Sequence, residues 1–156
     1  MTKPAPIRVL ILEDNAVDAE LMLHELRNAG LDVQAERVES ETEFAARLTP
    51  ELDLILSDFQ LPQYGGLEAL RLLRSRGLDV PFIIVSGSID EDIAVAAMRE
   101  GADDYLLKDR VARLGQAVLK ALENRRLRGD MRRAEAQVRE GNMKSLQATR
   151  NGKDLF

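Results

Sequence analysis

Short, unbroken apolar runs that recur along the chain constrain its fold more than any other feature. Val9-Leu10-Ile11-Leu12, Leu54-Ile55-Leu56 and Phe82-Ile83-Ile84-Val85 are continuous apolar stretches. Such runs suit strands covered on both faces, as in a parallel sheet. Two more segments, Val33–Val38 and Asp104–Leu107, have strand length and composition. Strands are therefore predicted over Ile7–Leu12, Val33–Val38, Leu52–Ser57, Pro81–Ser86 and Asp104–Leu107.

Helical spacing fills the gaps. Ala19, Met22, Leu23 and Leu26 fall at i, i+3, i+4 and i+7 and share one face. Gly30 follows as a C-cap. Leu67, Leu70 and Leu73 repeat the pattern before Gly77. Ser88-Ile89-Asp90-Glu91 predicts a capping box ahead of Ile93 and Ala96-Ala97, with Gly101 at the far end. Residues 40–48 give a weaker helix, and Val111, Leu114, Val118 and Ala121 a fifth. The order is a repeated strand–helix alternation. Right-handed crossovers turn it into an open α/β fold, doubly wound, with helices on both faces. Five strands predict the flavodoxin-like order 2-1-3-4-5, whose ligand crevice opens where strands 1 and 3 meet.

Charge divides the chain. Residues 1–109 hold 10 Lys+Arg and 22 Asp+Glu; residues 110–156 hold 12 and 5. An acidic body does not suit nucleic acid, which needs a basic footprint. The basic part contains no Pro from Asp109 to Glu140, and Leu127, Met131, Ala134 and Val138 step at heptad spacing. We expect a domain over 1–126 and a helical extension over 127–156, its pattern lost beyond Gly141. The chain has no Cys, which excludes disulfides and thiolate metal sites. It has no apolar run long enough to span a membrane and no signal-peptide pattern at Met1–Pro6. A cytoplasmic protein is expected.

The polar residues gather at one edge of this frame. Glu13-Asp14 follow strand 1, Asp58 follows strand 3, Ser86 ends strand 4 and Lys108 follows strand 5. Carboxylates at adjacent strand ends repel one another, and a hard cation such as Mg²⁺ relieves this. Asp58 can act as a carboxylate nucleophile. A cation and Lys108 can then stabilise charge on a phosphoryl group in transfer.

Glu13-Asp14-Asn15, Ser57-Asp58-Phe59-Gln60-Leu61-Pro62 with Gly65-Gly66, Val85-Ser86-Gly87 and Gly101-Ala102-Asp103-Asp104-Tyr105-Leu106-Leu107-Lys108 together resemble the receiver (CheY-like) family of two-component response regulators. The likeness covers residue 7 to about residue 126. It implies that Asp58 accepts a phosphoryl group from a histidine kinase or phosphotransfer protein. It implies Mg²⁺, with Mn²⁺ as an alternative, held by Asp14, Asp58 and the backbone carbonyl of Gln60, with Glu13 acting through water. Lys108 and Ser86 would contact the phosphoryl oxygens, and Ser86 with Tyr105 would form the switch. The implied catalysis is limited to the chain's own phosphorylation and dephosphorylation. Apart from the resemblance, the heptad-spaced seam offers a homodimer through helix 4, strand 5, helix 5 and the C-terminal helix; no membrane or nucleic-acid partner is expected. Two positions depart from the family: Asp109 replaces the proline after the lysine, and Gly65 replaces an acid. Asp109 is still expected to cap helix 5.

Blander readings exist for each residue. Glu13 and Asp14 alone could cap helix 1, Asp58 could be a loop acid, Lys108 a solvated lysine and Tyr105 edge packing. His24 suits a solvated helix face, and the basic helix a solvated or paired one. Two other classes also compete. An aspartate-nucleophile phosphatase of haloacid dehalogenase type would need an acid at position 60, which is Gln60. A nucleotide binder would need a glycine-rich loop after strand 1. A degenerate receiver used only for docking would not need the complete acidic cluster.

Overall fold

A computed structural model describes residues 5–61, 64–88 and 90–153, with side chains as far as residue 142. Pro62 and Ile89, quoted above, lie outside the described residues, as does the extreme C-terminus. The strands are β1 (Ile7–Leu12), β2 (Val33–Val38), β3 (Leu54–Ser57), β4 (Phe82–Ser86) and β5 (Asp104–Leu107). The helices are α1 (Ala16–Asn28), α2 (Glu41–Arg47), α3 (Gly66–Ser75), α4 (Glu91–Arg99) and α5 (Leu114–Lys153), with a 3₁₀ segment over Lys108–Arg113. All pairings are parallel, in the order β2-β1-β3-β4-β5. This is the expected doubly wound topology.

Period-two alternation sorts the apolar strand residues into two cores. Leu10, Leu12, Ile55, Phe82 and Ile84 pack on one face with Phe44, Leu70, Leu73 and Ala97 from α2, α3 and α4. Val9, Ile11, Leu54, Leu56, Ile83 and Val85 pack on the other with Met22, Leu26, Leu114 and Val118 from α1 and α5. Each buried aliphatic side chain contributes on the order of 1.5–3 kcal/mol. The central strands β3 and β4 are buried throughout, which explains their unbroken apolar runs. Edge strand β2 buries only Val38 and carries Gln34, Glu36 and Arg37 in solvent.

Local signals locate most of the element ends. Asn15 caps α1 by accepting the N–H groups of Val17 and Asp18. Gly30 follows the C-cap Ala29 with φ 89°, and Gly77 repeats this after α3 with φ 70°. Both lie in the left-handed region where a Cβ is penalised. Four expectations need correction. β4 starts at Phe82 and not at Pro81. The cap of α4 is Asp90, which accepts from the N–H groups of Asp92 and Ile93; Ser88 sits too early. β3 starts at Leu54, because the Leu52 N–H closes a turn onto the Thr49 carbonyl. Asp109 does not cap helix 5; it lies inside the 3₁₀ segment, whose N-cap Leu107 has no side-chain cap bond.

The chain divides into two compact units, Met1–Leu122 and Glu123–Phe156. The second is helical, with Leu127, Met131 and Val138 exposed. Arg126 pairs there with Glu123 and Asp130, and Arg133 with Asp130. Among the described residues, no helix is long and apolar enough to cross a membrane.

Candidate phosphoacceptor site

The parallel register brings the polar residues together. Glu13 N–H donates to the Val38 carbonyl at 3.1 Å and Asp58 N–H to the Leu12 carbonyl at 2.9 Å. The sheet pattern thus carries one residue past β1 and β3, fixing both carboxylates at the C-terminal edge. Candidate ligand oxygens of Glu13, Asp14 and Asp58 all lie within 4.8 Å of one another. Glu13 is fully buried, Asp58 nearly so, and Asp14 is exposed. Solvent therefore reaches the cluster from the Asp14 side.

Lys108 enters from the end of β5. Its Nζ donates to Glu13 Oε1 at 3.1 Å, to Asp58 Oδ2 at 3.1 Å and to Asp18 Oδ2 at 2.8 Å. Burial disfavours the ammonium charge, but the hydrogen bonds it donates to Asp18, Glu13 and Asp58 outweigh this and hold the lysine above its usual pKa. It is a fixed positive charge at any working pH.

Glu13 behaves in the opposite sense. Burial, reinforced by the Asp58 charge, pushes its carboxyl up to about 7 despite the bonds from Lys108 and the Asn15 N–H. Its Oε2 is buried without a hydrogen-bond partner. A buried acceptor left without a partner is costly. A carboxylate with an unpartnered oxygen, grouped with two further carboxylates, fits a divalent cation with oxygen ligands. Among the described residues, Glu13, Asp14 and Asp58 are the acidic group with suitable geometry.

The remaining predicted residues surround this centre. The Gln60 N–H lies 3.3 Å from Asp58 Oδ1, on the same loop. Gly65 and Gly66 let α3 start against that loop. A Cβ on Gly66 would lie 2.9 Å from the Asp58 carbonyl oxygen, and one on Gly65 2.9 Å from that of Phe59. Ser86 is buried, and its Oγ accepts the Ser88 N–H at 3.4 Å rather than bonding Lys108. Tyr105 donates its hydroxyl to the Ser88 carbonyl at 3.1 Å and tilts against Phe59, ring centroids 6.4 Å apart. His24 bonds Asn28 on the exposed face of α1.

One residue was missed at the sequence level. Asp18 joins Lys108 from the first turn of α1. Its only sign in the sequence was an acid in the first turn of the predicted helix.

Comparison with known proteins agrees with this geometry. Residues 9–119 match the response regulator receiver domain family. The cell cycle transcriptional regulator CtrA of Caulobacter vibrioides is 34% identical over 102 residues, covering 65% of this chain and 44% of CtrA. The chain thus spans less than half the length of that relative. A crystal structure of a response regulator receiver domain protein from Clostridium thermocellum superposes with a TM-score of 0.67 at 25% identity, covering 78% of this chain and 98% of that one. The phosphorylated cyanobacterial phytochrome response regulator RcpA gives a TM-score of 0.58 at 26% identity, covering 76% and 91%. Sheet order, strand-end chemistry and the family match over residues 9–119 converge: the chain belongs to the response regulator receiver family.

Proposed function

We propose that Asp58 accepts a phosphoryl group from a phosphohistidine donor, on a histidine kinase or a phosphotransfer protein, and that the change is read out elsewhere on the domain. The observation that carries this is the Lys108 ammonium held 3.1 Å from Asp58 Oδ2, beside a buried carboxylate with an unpartnered oxygen. A carboxylate oxygen of Asp58 attacks phosphorus, the P–N bond breaks, and the imidazole leaves with the electron pair. Glu13, Asp14, Asp58 and the Gln60 carbonyl would hold Mg²⁺ or Mn²⁺, Glu13 through water. When bound, such a cation neutralises charge on phosphoryl oxygens. Lys108 supplies the second positive contact, already in place before reaction. The chain's catalysis is confined to its own phosphorylation and dephosphorylation, in the cytoplasm.

Readout begins at Ser86. Its hydroxyl has one long bond, to the Ser88 N–H, so moving to a phosphoryl oxygen costs little. Tyr105 is tied to the same loop through the Ser88 carbonyl. A shift of that loop therefore reaches the Tyr105 ring and the face made by α4, β5 and α5. Exposed Leu127, Met131 and Val138 supply a short apolar seam for a homodimer. Crowded arginines weaken that seam, which leaves pairing open to control by a modest population shift.

Incubation with Mg²⁺ and acetyl phosphate should add one phosphoryl mass to the chain. Asp58→Ala should take none; equal labelling of that variant would refute the assignment.

A further inference from the structure

Lys108 has a third partner that stands apart from the acid cluster. Its Nζ is closer to Asp18 Oδ2, at 2.8 Å, than to Glu13 or Asp58, each at 3.1 Å. A lysine ammonium has three N–H donors, so these three carboxylates occupy all of them. Glu13 and Asp58 belong to the group of oxygens that suits a cation; Asp18 does not.

The Asp18 carboxylate does not bond the start of its own helix. With Asn15 as N-cap, Asp18 is the third residue of α1. An acidic side chain there can fold back onto the N-cap N–H. Here the Asn15 N–H donates instead to Glu13 Oε1 at 3.2 Å. The Asp18 carboxylate turns away to Lys108, while its own N–H is held by Asn15 Oδ1 at 3.2 Å. The backbone beneath it is thereby anchored. Asp18 and Lys108 line one small cleft with Met22, Val85 and Val111.

We infer that Asp18 is a positioning residue for Lys108, tethering the ammonium beside Asp58 while a cation and a phosphoryl group claim the other two carboxylates. The inference rests on the phosphoacceptor reading above. A cation held by Asp14 and Asp58, with Glu13 through water, would compete for the carboxylate oxygens that hold Lys108 and would repel the ammonium as well. Asp18 is the acceptor that neither newcomer uses. It keeps one N–H engaged and leaves the other two aimed at Asp58 and its phosphoryl oxygens. Such preorganisation lowers the reorganisation needed at the moment of transfer.

The competing explanation is that Asp18 only stabilises the start of α1, as an acid near a helix N-terminus does. A double-mutant cycle separates the two. Initial rates of Asp58 labelling by acetyl phosphate, at saturating Mg²⁺, are measured on the full chain. The set comprises the parent, Asp18→Ala, Asp18→Asn, Lys108→Met and both double variants. Asp18→Ala should slow labelling on the order of tenfold, a size typical of coupled contacts, and Asp18→Asn less. Neither should slow it further once Lys108 is Met. If Asp18→Ala labels at the parental rate, or slows labelling equally with and without Lys108, the tether is overturned and Asp58 remains the acceptor. If Asp18→Ala does not fold, the same-sized Asp18→Asn carries the comparison under the same criterion. A parent chain that takes no phosphoryl group at all overturns the underlying reading, and the tether with it.

Discussion

Lys108 Nζ and Asp58 Oδ2 are in hydrogen-bond contact at 3.1 Å although 50 residues separate them along the chain. The strand order makes this possible, since β3 and β5 flank β4 and both release their next residue at the same edge. Lys108→Met keeps an apolar stem and removes the charge. It should slow Asp58 labelling by roughly a hundredfold, the usual loss for one preorganised electrostatic contact. Quantitative mass spectrometry of the time course checks this, and an unchanged rate would remove Lys108 from the site.

The buried Glu13 makes metal-free stability depend on pH. Its carboxyl titrates near 7 in the fold, because burial and the Asp58 charge resist ionisation, against 4.5 as the ordinary value. Between those values the folded state holds the extra proton, so stability falls as pH rises through the window. The melting temperature in a chelator should drop from about pH 5 to about pH 8, and Glu13→Gln should flatten that slope. A slope of the opposite sign in the parent would show that Glu13 is not a strained anion.

A divalent cation should offset that cost. A ligand that binds only the native state raises its stability by mass action. Added Mg²⁺ should therefore raise the melting temperature, more at pH 8 than at pH 5 because the Glu13 carboxyl is then ionised. Asp14→Asn should weaken the effect in a calorimetric titration. Undiminished Mg²⁺ affinity in that variant would exclude Asp14 as a ligand.

Gly66 tests how tightly α3 is fitted to the Asp58 loop. A Cβ there would sit 2.9 Å from the Asp58 carbonyl and 3.2 Å from Ser57 Oγ. Gly66→Ala should destabilise the fold by about 1–3 kcal/mol, as overpacking does, and should slow Asp58 labelling. Denaturant unfolding with parallel labelling would check both; a neutral variant would mean that the loop moves freely.

Sequence alone carried the architecture because the chemistry is periodic. β1 matches its predicted limits, Ile7–Leu12, since a buried apolar run that ends at Glu13-Asp14 leaves little choice; β2 also matches, Val33–Val38, although it buries only Val38. Ends set by hydrogen-bond competition were harder. Ser88 and Asp90 both have the chemistry of an N-cap, and only the backbone path shows that Asp90 takes the role. Asp18 escaped notice for a different reason. Its partner lies 90 residues away, and first-turn acids are common enough on helices to carry no message by themselves. The unpartnered oxygen of Glu13 was likewise invisible, because burial of a single atom depends on packing from several elements.

Helix α4 rests on the rest of the domain through one fully covered side chain, Ala97, while Val95 and Met98 face solvent. With Ile93, Ala94 and Ala96 only half-buried, this is a weak latch. Local opening of this segment should need much less free energy than global unfolding, so its amide hydrogens should exchange with deuterium well before those of α1, whose Ala19, Met22, Leu23 and Leu26 are all interior. The Ser88 carbonyl held by Tyr105 lies two residues before the α4 cap. This thinly buried helix therefore starts, at its cap, two residues beyond the carbonyl that Tyr105 holds, so opening of α4 and loss of that hydrogen bond should occur together.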